Sequence, residues 1–240
     1  MERENISHNS INQRRRRRRR KKLLRKAVSV IAILSVFCIT LVLLYRWIFG
    51  EKKIFSMSFG TADIVLDAGH GGKDTGANHG DLYEKDINLA VAKKTKELLS
   101  KSGYKVKMTR EDDTYVALSD RVAFANRRNA KVYVSIHCNS SEDGSGNGIE
   151  TFYAESKNWN SEKLAESIQT NIVNATGAKD REVKTADYAV ILGTDMSAAL
   201  VEVGFLTDKN ERALLQNEDY QQKLAEGISE GILDYLSADQ

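Results

Sequence analysis

The amino-acid sequence predicts an α/β fold: one domain with a mainly parallel sheet covered by helices, preceded by a single transmembrane helix. Three observations predict it. From residue 62 onward, short β-branched runs alternate with stretches of helical apolar period, the pattern of successive β-α-β units. The best strand, KVYVSIH, is nearly continuous in apolar character, as strands buried on both faces are. Finally, the 19 uncharged residues from Ala27 to Tyr45 follow closely on an unbroken run of seven arginines, Arg14 to Arg20.

Residues 1–26 form a basic cytoplasmic tail. Residues 1–50 hold 13 of the 36 Lys and Arg but only 2 of the 33 Asp and Glu, a local net of +11. Residues 51–240 therefore carry 23 basic and 31 acidic residues, a net of −8. That balance excludes a nucleic-acid-binding globular domain, because the positive charge it needs lies elsewhere. Residues 27–49 form the anchor. A 19-residue helix spans ~28 Å, about the hydrocarbon thickness of a bilayer. Tyr45 and Trp47 stand where interfacial aromatics belong, and Arg46 can snorkel. The basic block before the span orients it, amino terminus in the cytoplasm and the remainder outside. A cleaved signal peptide is the rival reading. The apolar run is long for one, however, and no small-x-small site follows between Arg46 and Ile54. The arginine run, standing directly before the span, serves topology and anionic head groups rather than nucleic acid. Two cysteines, Cys38 and Cys138, exclude a disulfide framework.

Residues 50–61 are a linker, and 62–238 make the outer domain. Ile64-Val65-Leu66 is a short strand running into Asp67-Ala-Gly-His70. Ile87, Val91, Thr95, Leu98 and Leu99 recur at helical spacing until Gly103 stops the helix. Val106 to Met108 is strand-like, and Ala117 to about Asn129 is helical. Lys131 to His137 is the strongest strand. A polar loop, Ser140 to Asn147, leads to a strand over Gly148–Tyr153, then to a helix that Ser161 caps and that runs to Ala175. A short connector reaches the buried strand Ala198–Val203. Leu214 marks a short helix, and Tyr220 to Leu236 a long one.

In open α/β sheets, ligands bind at the carboxyl ends of the strands. Three polar residues fall there: His70, His137 and Glu202. Glu84 follows the Gly-rich loop and opens the helix of Ile87. Two histidines and a carboxylate form a common catalytic zinc set with a fourth position open. Here they come from separate elements, so periodicity alone does not bring them together. Each also has a plain structural reading. His70 sits in a Gly-rich turn, and His137 suits a hydrogen-bonded core histidine. Glu84 suits a first helical turn, where Asp81 and Asp86 compete for the same role. Glu202 is harder to dismiss, since a lone carboxylate within ALVEVGF costs several kcal/mol if buried without a partner. His79 reads as an exposed loop residue and Cys138 as core filler. The glycine spacing, with Asp74 after Lys73, is not that of a phosphate loop.

Four segments carry a resemblance: Asp63-Ile-Val-Leu-Asp-Ala-Gly-His-Gly-Gly-Lys-Asp-Thr-Gly-Ala77, Glu84-Lys-Asp-Ile-Asn88, Val134-Ser-Ile-His-Cys-Asn139 and Leu200-Val-Glu-Val-Gly-Phe-Leu-Thr207. With Thr109-Arg110, Arg121 and Gly148–Tyr153 between them, they resemble the zinc-dependent N-acetylmuramoyl-L-alanine amidases of the type 3 family, in unbroken order from about Ala62 to Leu236. The resemblance implies a twisted sheet flanked by helices, with His70, Glu84 and His137 as Zn2+ ligands and Glu202 as the catalytic glutamate. It also implies peptidoglycan as substrate, cut at the amide between N-acetylmuramic acid and L-alanine of the stem peptide. In that chemistry zinc lowers the pKa of its bound water to ~7 and polarises the carbonyl. Glu202 then moves a proton to the leaving nitrogen, with Glu150 as the alternative base. The outward topology places the domain at the cell wall.

No obligate protein partner is expected. Some family members carry a blocking helical insertion before the catalytic glutamate, and the stretch from Tyr153 to Glu202 leaves little room for one. Two rival readings remain. A pseudo-enzyme that grips wall peptides is disfavoured because all four site positions are filled. A membrane scaffold would make the arginine arm its working part.

Overall fold

The computed structural model describes residues 61–155 and 160–238. The basic tail, the expected anchor and nearly all of the linker lie outside the described residues. Among the described residues, no helix is long and apolar enough to cross a membrane.

In chain order the elements are β1 (Ile64–Ala68), β2 (Asn78–His79), β3 (Leu82–Tyr83), α1 (Glu84–Lys101), β4 (Val106–Met108), α2 (Leu118–Asn126), β5 (Val132–Asn139) and β6 (Ile149–Tyr153). They continue with α3 (Ser161–Thr176), β7 (Asp180–Thr185), α4 (Ala189–Leu192), β8 (Ser197–Phe205), α5 (Lys209–Leu215) and α6 (Glu218–Ala238). The main sheet has the order β4-β1-β5-β8-β6-β7, and β2–β3 is a small separate hairpin. Every pairing in the main sheet is parallel except β6 with β8. From β1 the chain crosses through α1 to β4 on one side, then through α2 to β5 on the other. The carboxyl ends of β1 and β5 therefore form a topological switch point, where open α/β sheets bind ligands.

Strand alternation sorts the sheet into two unlike faces. On one, Ile64, Leu66 and Ala68 of β1, Val132, Val134, Ile136 and Cys138 of β5, and Ala199, Val201 and Val203 of β8 join one apolar cluster with residues of α1, α3 and α6. Those helices are 18, 16 and 21 residues long. On the other, Val65, Tyr133, Ala198 and Leu200 pack against Ala125 of α2 and Val190 and Ile191 of α4. These two helices have only 9 and 4 residues. They cover the start of the strands and leave the carboxyl ends of β5 and β8 open.

The expected two-sided burial is thus complete on one face and partial on the other. KVYVSIH is apolar along Val132, Val134 and Ile136, but polar along Ser135 and His137. The connector before β8 also holds more than expected, namely β7 and α4. Four of the six residues of β7 are charged, a composition that protects an edge strand from stray pairing and hides it from an apolar pattern. Ser161 is not the cap of α3, a position taken by Asn160. Its hydroxyl instead accepts the Ala198 N–H at 3.1 Å, tying α3 to the start of β8.

Candidate metal centre

The site begins with the turn that follows β1. His70 adopts φ 60, a left-handed conformation uncommon for a residue with a side chain. Two arginines hold this turn by its carbonyls. Arg110 donates to Ala68 O and Gly69 O, both at 2.9 Å. Arg121 donates to Ala68 O at 2.7 Å and to His70 O at 2.6 Å. Beneath them the buried Asp67 accepts from Arg121 at 2.6 Å, Tyr133 at 2.8 Å, Ser135 at 2.7 Å and Thr109. Burial alone would raise the Asp67 pKa. The Arg121 charge and these hydrogen bonds prevail and hold it below the usual carboxylate range.

Glu84 is the first residue of α1, so the helix start fixes its backbone. Its Oε2 accepts the Ala77 N–H at 2.8 Å. Its Oε1 accepts from Asn88 Nδ2 and from the Cys138 N–H, both at 3.1 Å. His137 Nδ1 at 2.9 Å and His70 Nε2 at 3.2 Å face that same Oε1. The imidazole centroids are 4.9 Å apart and the rings nearly perpendicular. Asp74 Oδ1 stands 2.9 Å from His70 Nδ1. Two glycines make this convergence sterically feasible. A Cβ at Gly69 would stand inside the His137 ring, and one at Gly76 (φ +63) would stand against the Glu84 carboxylate.

Glu202 lies directly opposite His137 in the β5–β8 register. Its Oε2 is buried and has no hydrogen-bond partner among the described residues. Burial is the main cause that pushes its pKa up to about 7. The Glu84 and Glu150 charges reinforce the shift, and His137 opposes it. Glu150 lies opposite Glu202 in turn, but it is saturated with donors: Asn139 Nδ2 at 2.6 Å, Arg181 Nε at 2.9 Å and Lys184 Nζ. Of the two carboxylates, Glu202 is therefore the one with an unpartnered buried oxygen, and Glu150 is engaged by two cations.

Burial lowers the basicity of both imidazoles, yet each is shifted upward. Glu84 and Asp74 raise His70 to about 9, and Glu84 and Glu202 raise His137. Burial likewise works against ionised Glu84, but hydrogen bonds from His137 and His70 hold its carboxyl far below the usual range. Two imidazoles and a carboxylate that together favour positive charge between them suit a cation. Their donor atoms all lie within 4.8 Å of one another. Ligand atoms at about 2.0–2.2 Å from a tetrahedral zinc stand roughly 3.3–3.6 Å apart, near the 2.9 and 3.2 Å that separate Glu84 Oε1 from the two imidazoles. The N/N/O donor set suits a divalent transition metal, zinc among them.

Three of the residues singled out in the sequence, His70, Glu84 and His137, therefore meet, with Glu202 alongside. His79, Asp81 and Asp86 are exposed and outside the cluster. Asp67, Asp74 and Asn88 belong to the site's support and carried no such role in the sequence reading. Asn88 had a signal: four residues after Glu84 on a helix, it shares that residue's face. A groove runs from the cluster past Tyr115, Leu118, Tyr188 and Leu200. Among the described residues, three of the four exposed large hydrophobic side chains, Tyr115, Leu118 and Tyr188, line it.

A paired-histidine cluster at a strand switch point, with an unpartnered carboxylate beside it and a groove in front, is the arrangement of a metal-dependent hydrolase. Residues 64–234 match the N-acetylmuramoyl-L-alanine amidase family. The chain is 38% identical over 173 residues to the N-acetylmuramoyl-L-alanine amidase LytC of Bacillus subtilis, covering 72% of this chain and 35% of that one. Its fold superposes on the N-acetylmuramoyl-L-alanine amidase of Clostridium difficile 630 with a TM-score of 0.72 at 39% identity, covering 75% of this chain and 99% of that one. It also superposes on the CwlD amidase of Clostridioides difficile, solved in complex with the GerS lipoprotein, with a TM-score of 0.71 at 37% identity, covering 75% and 100%. The chain belongs to the N-acetylmuramoyl-L-alanine amidase family and is an enzyme.

Proposed function

We propose that the chain is a zinc-dependent amidase, held at the outer face of the cell membrane, that cleaves peptidoglycan between N-acetylmuramic acid and L-alanine. The observation that carries the mechanism is Glu202 Oε2, buried and without a partner, directly across from His137. His70, Glu84 and His137 would hold the metal. When bound there, zinc supplies a Lewis acid for the amide carbonyl and makes water acidic enough to attack at neutral pH. Glu202 takes a proton from the attacking water and returns it to the alanine nitrogen as the C–N bond breaks. The products are a lactyl carboxylate on the sugar and a free amino group on the peptide. Arg110, Arg121 and Asp67 keep His70 in place through the turn's carbonyls. Tyr115, Leu118 and Tyr188 give the groove an apolar wall suited to the carbon faces of sugar rings.

The anchor reading rests on sequence alone: 11 basic residues from Arg14 to Lys26, then 19 uncharged residues. Protease added to intact protoplasts should remove the catalytic domain, whereas protection of that domain would contradict the outward topology. The enzyme acts without an activating partner, in contrast to a plugged amidase. Among the described residues of 153–202, α3 lies in the core, β7 in the sheet, and α4, four residues long, forms part of the groove wall beside His70 and His137.

The test of function is mass analysis of purified peptidoglycan after incubation with the zinc-loaded chain. Fragments bearing a free lactyl carboxyl and a new amino-terminal L-alanine are expected. Cleavage only at other bonds would refute the assignment.

A further inference from the structure

Beyond the catalytic row the sheet carries a second arrangement of charge. Across the open face, His137 of β5 pairs with Glu202 of β8, and Glu202 pairs with Glu150 of β6. Arg181 and Lys184 of β7 come next, both bonded to the same Glu150 oxygen, Oε2. Residues three apart on a regular strand point to opposite faces. Here they share one face because the β6–β7 register shifts between Ile149 and Thr151, and Glu182 within the shift adopts φ 68. A left-handed conformation at a glutamate is uncommon, and bulges of this kind re-aim side chains beside active sites.

The bulge therefore places two cations over one buried carboxylate, Glu150, which itself stands opposite Glu202 in the β6–β8 register. The Asp180 carboxylate is held away from that pair, accepting from Gln169 Nε2 on α3 at 2.6 Å and from the Glu182 N–H at 2.8 Å. Arg181 is further fixed by its Nη1 bond to Asn147 O at 3.3 Å and by its position 4.9 Å over the Phe205 ring. Lys184 keeps 41% of its side chain exposed, and Arg181 28%. Both remain open to a ligand.

We propose that Arg181 and Lys184, seated on Glu150, form a carboxylate-binding subsite that reads an acidic residue of the stem peptide. Neighbouring strands lie roughly 4.8 Å apart, so β7 stands about 10 Å from Glu202 on β8. Extended peptide covers about 3.3–3.6 Å per residue, so a carboxylate two or three residues from the cut bond reaches these cations. The stem peptide then runs from the metal toward β7, and the sugar lies on the side of Tyr115 and Leu118. This assignment rests on the amidase reading above.

The test compares N-acetylmuramoyl-L-alanyl-D-glutamate γ-methylamide, whose only free carboxyl on the peptide is the α-carboxyl, with the same compound amidated there. The zinc-loaded chain should favour the acid by about tenfold in kcat/KM, mainly through KM, as a charge-assisted pair worth one decade requires. Lys184→Gln, which leaves Arg181 on Glu150, should cut that preference several-fold, and the paired Arg181→Gln/Lys184→Gln protein should abolish it. An unchanged ratio in the paired variant, or no preference in the parent, would overturn the subsite. If neither compound is cut, the amidase reading has failed. The subsite is then decided by titrating L-alanyl-D-glutamate γ-methylamide into the parent and the Lys184→Gln protein. Weaker binding to Lys184→Gln supports it, and equal binding overturns it.

Discussion

The two faces of the main sheet are built from the same strands and do different work. On the closed face, alternate residues of β1, β5 and β8 are apolar groups under three long helices. On the open face, the intervening residues are Val65, Tyr133, Ala198 and Leu200 under two short helices, then Asp67, Ser135, His137 and Glu202 toward the site. Along one strand, Ile136 is fully buried in the core while the next residue, His137, faces Glu84 at 2.9 Å. Stability is concentrated on one side of each strand and chemistry on the other. A one-residue slip in the β5 register would exchange them.

Three changes separate the faces, taken in descending order of their effect on the site. His137→Ala removes one of two imidazoles and should take metal content from about one equivalent to near zero, with amidase activity falling to background. Elemental analysis of the purified protein checks this, and full zinc retention in both His137→Ala and His70→Ala would break the ligand assignment. Acidification should act more gently. With His70 near 9 in the metal-free protein, a proton must leave before metal enters. Affinity should therefore rise with pH up to about 9, by about tenfold per pH unit for each proton displaced, and then level off. Calorimetric titration at pH 7 in two buffers of different ionisation heat should show proton release, and its absence would contradict this electrostatic picture. Ile228→Ala, a fully buried change in α6 against the closed face, should leave kcat of the folded enzyme untouched while costing about 2–5 kcal/mol of stability. Denaturant unfolding measures the cost, and a comparable loss of kcat would mean that the faces are coupled.

Most of the fold was legible because its signals are local. α1 buries Ile87, Val91, Thr95 and Leu99 at helical spacing, and β5 is β-branched along its closed face. β7 was missed because an edge strand of alternating charge resembles a loop. The four site residues could be named, but their convergence could not be read from spacing, since they arrive from β5, β8, the start of α1 and the turn after β1. The family resemblance supplied the grouping. The support beneath them was largely invisible for the same reason. Asp67 meets Tyr133 and Ser135 across separations of 66 and 68 residues, which no local pattern encodes.

In the proposed mechanism Glu202 sits on the open face for chemistry and at some expense to stability. The most direct measurement is the amidase rate of Glu202→Gln, taken on protein whose zinc content and melting temperature are determined alongside. Glutamine keeps the shape and hydrogen bonding but cannot accept the proton. The expected protein folds, holds zinc near the parental level, melts at the same or a higher temperature and cleaves ~100-fold or more slowly. Cleavage above about a tenth of the parental rate would contradict the account and place the base elsewhere.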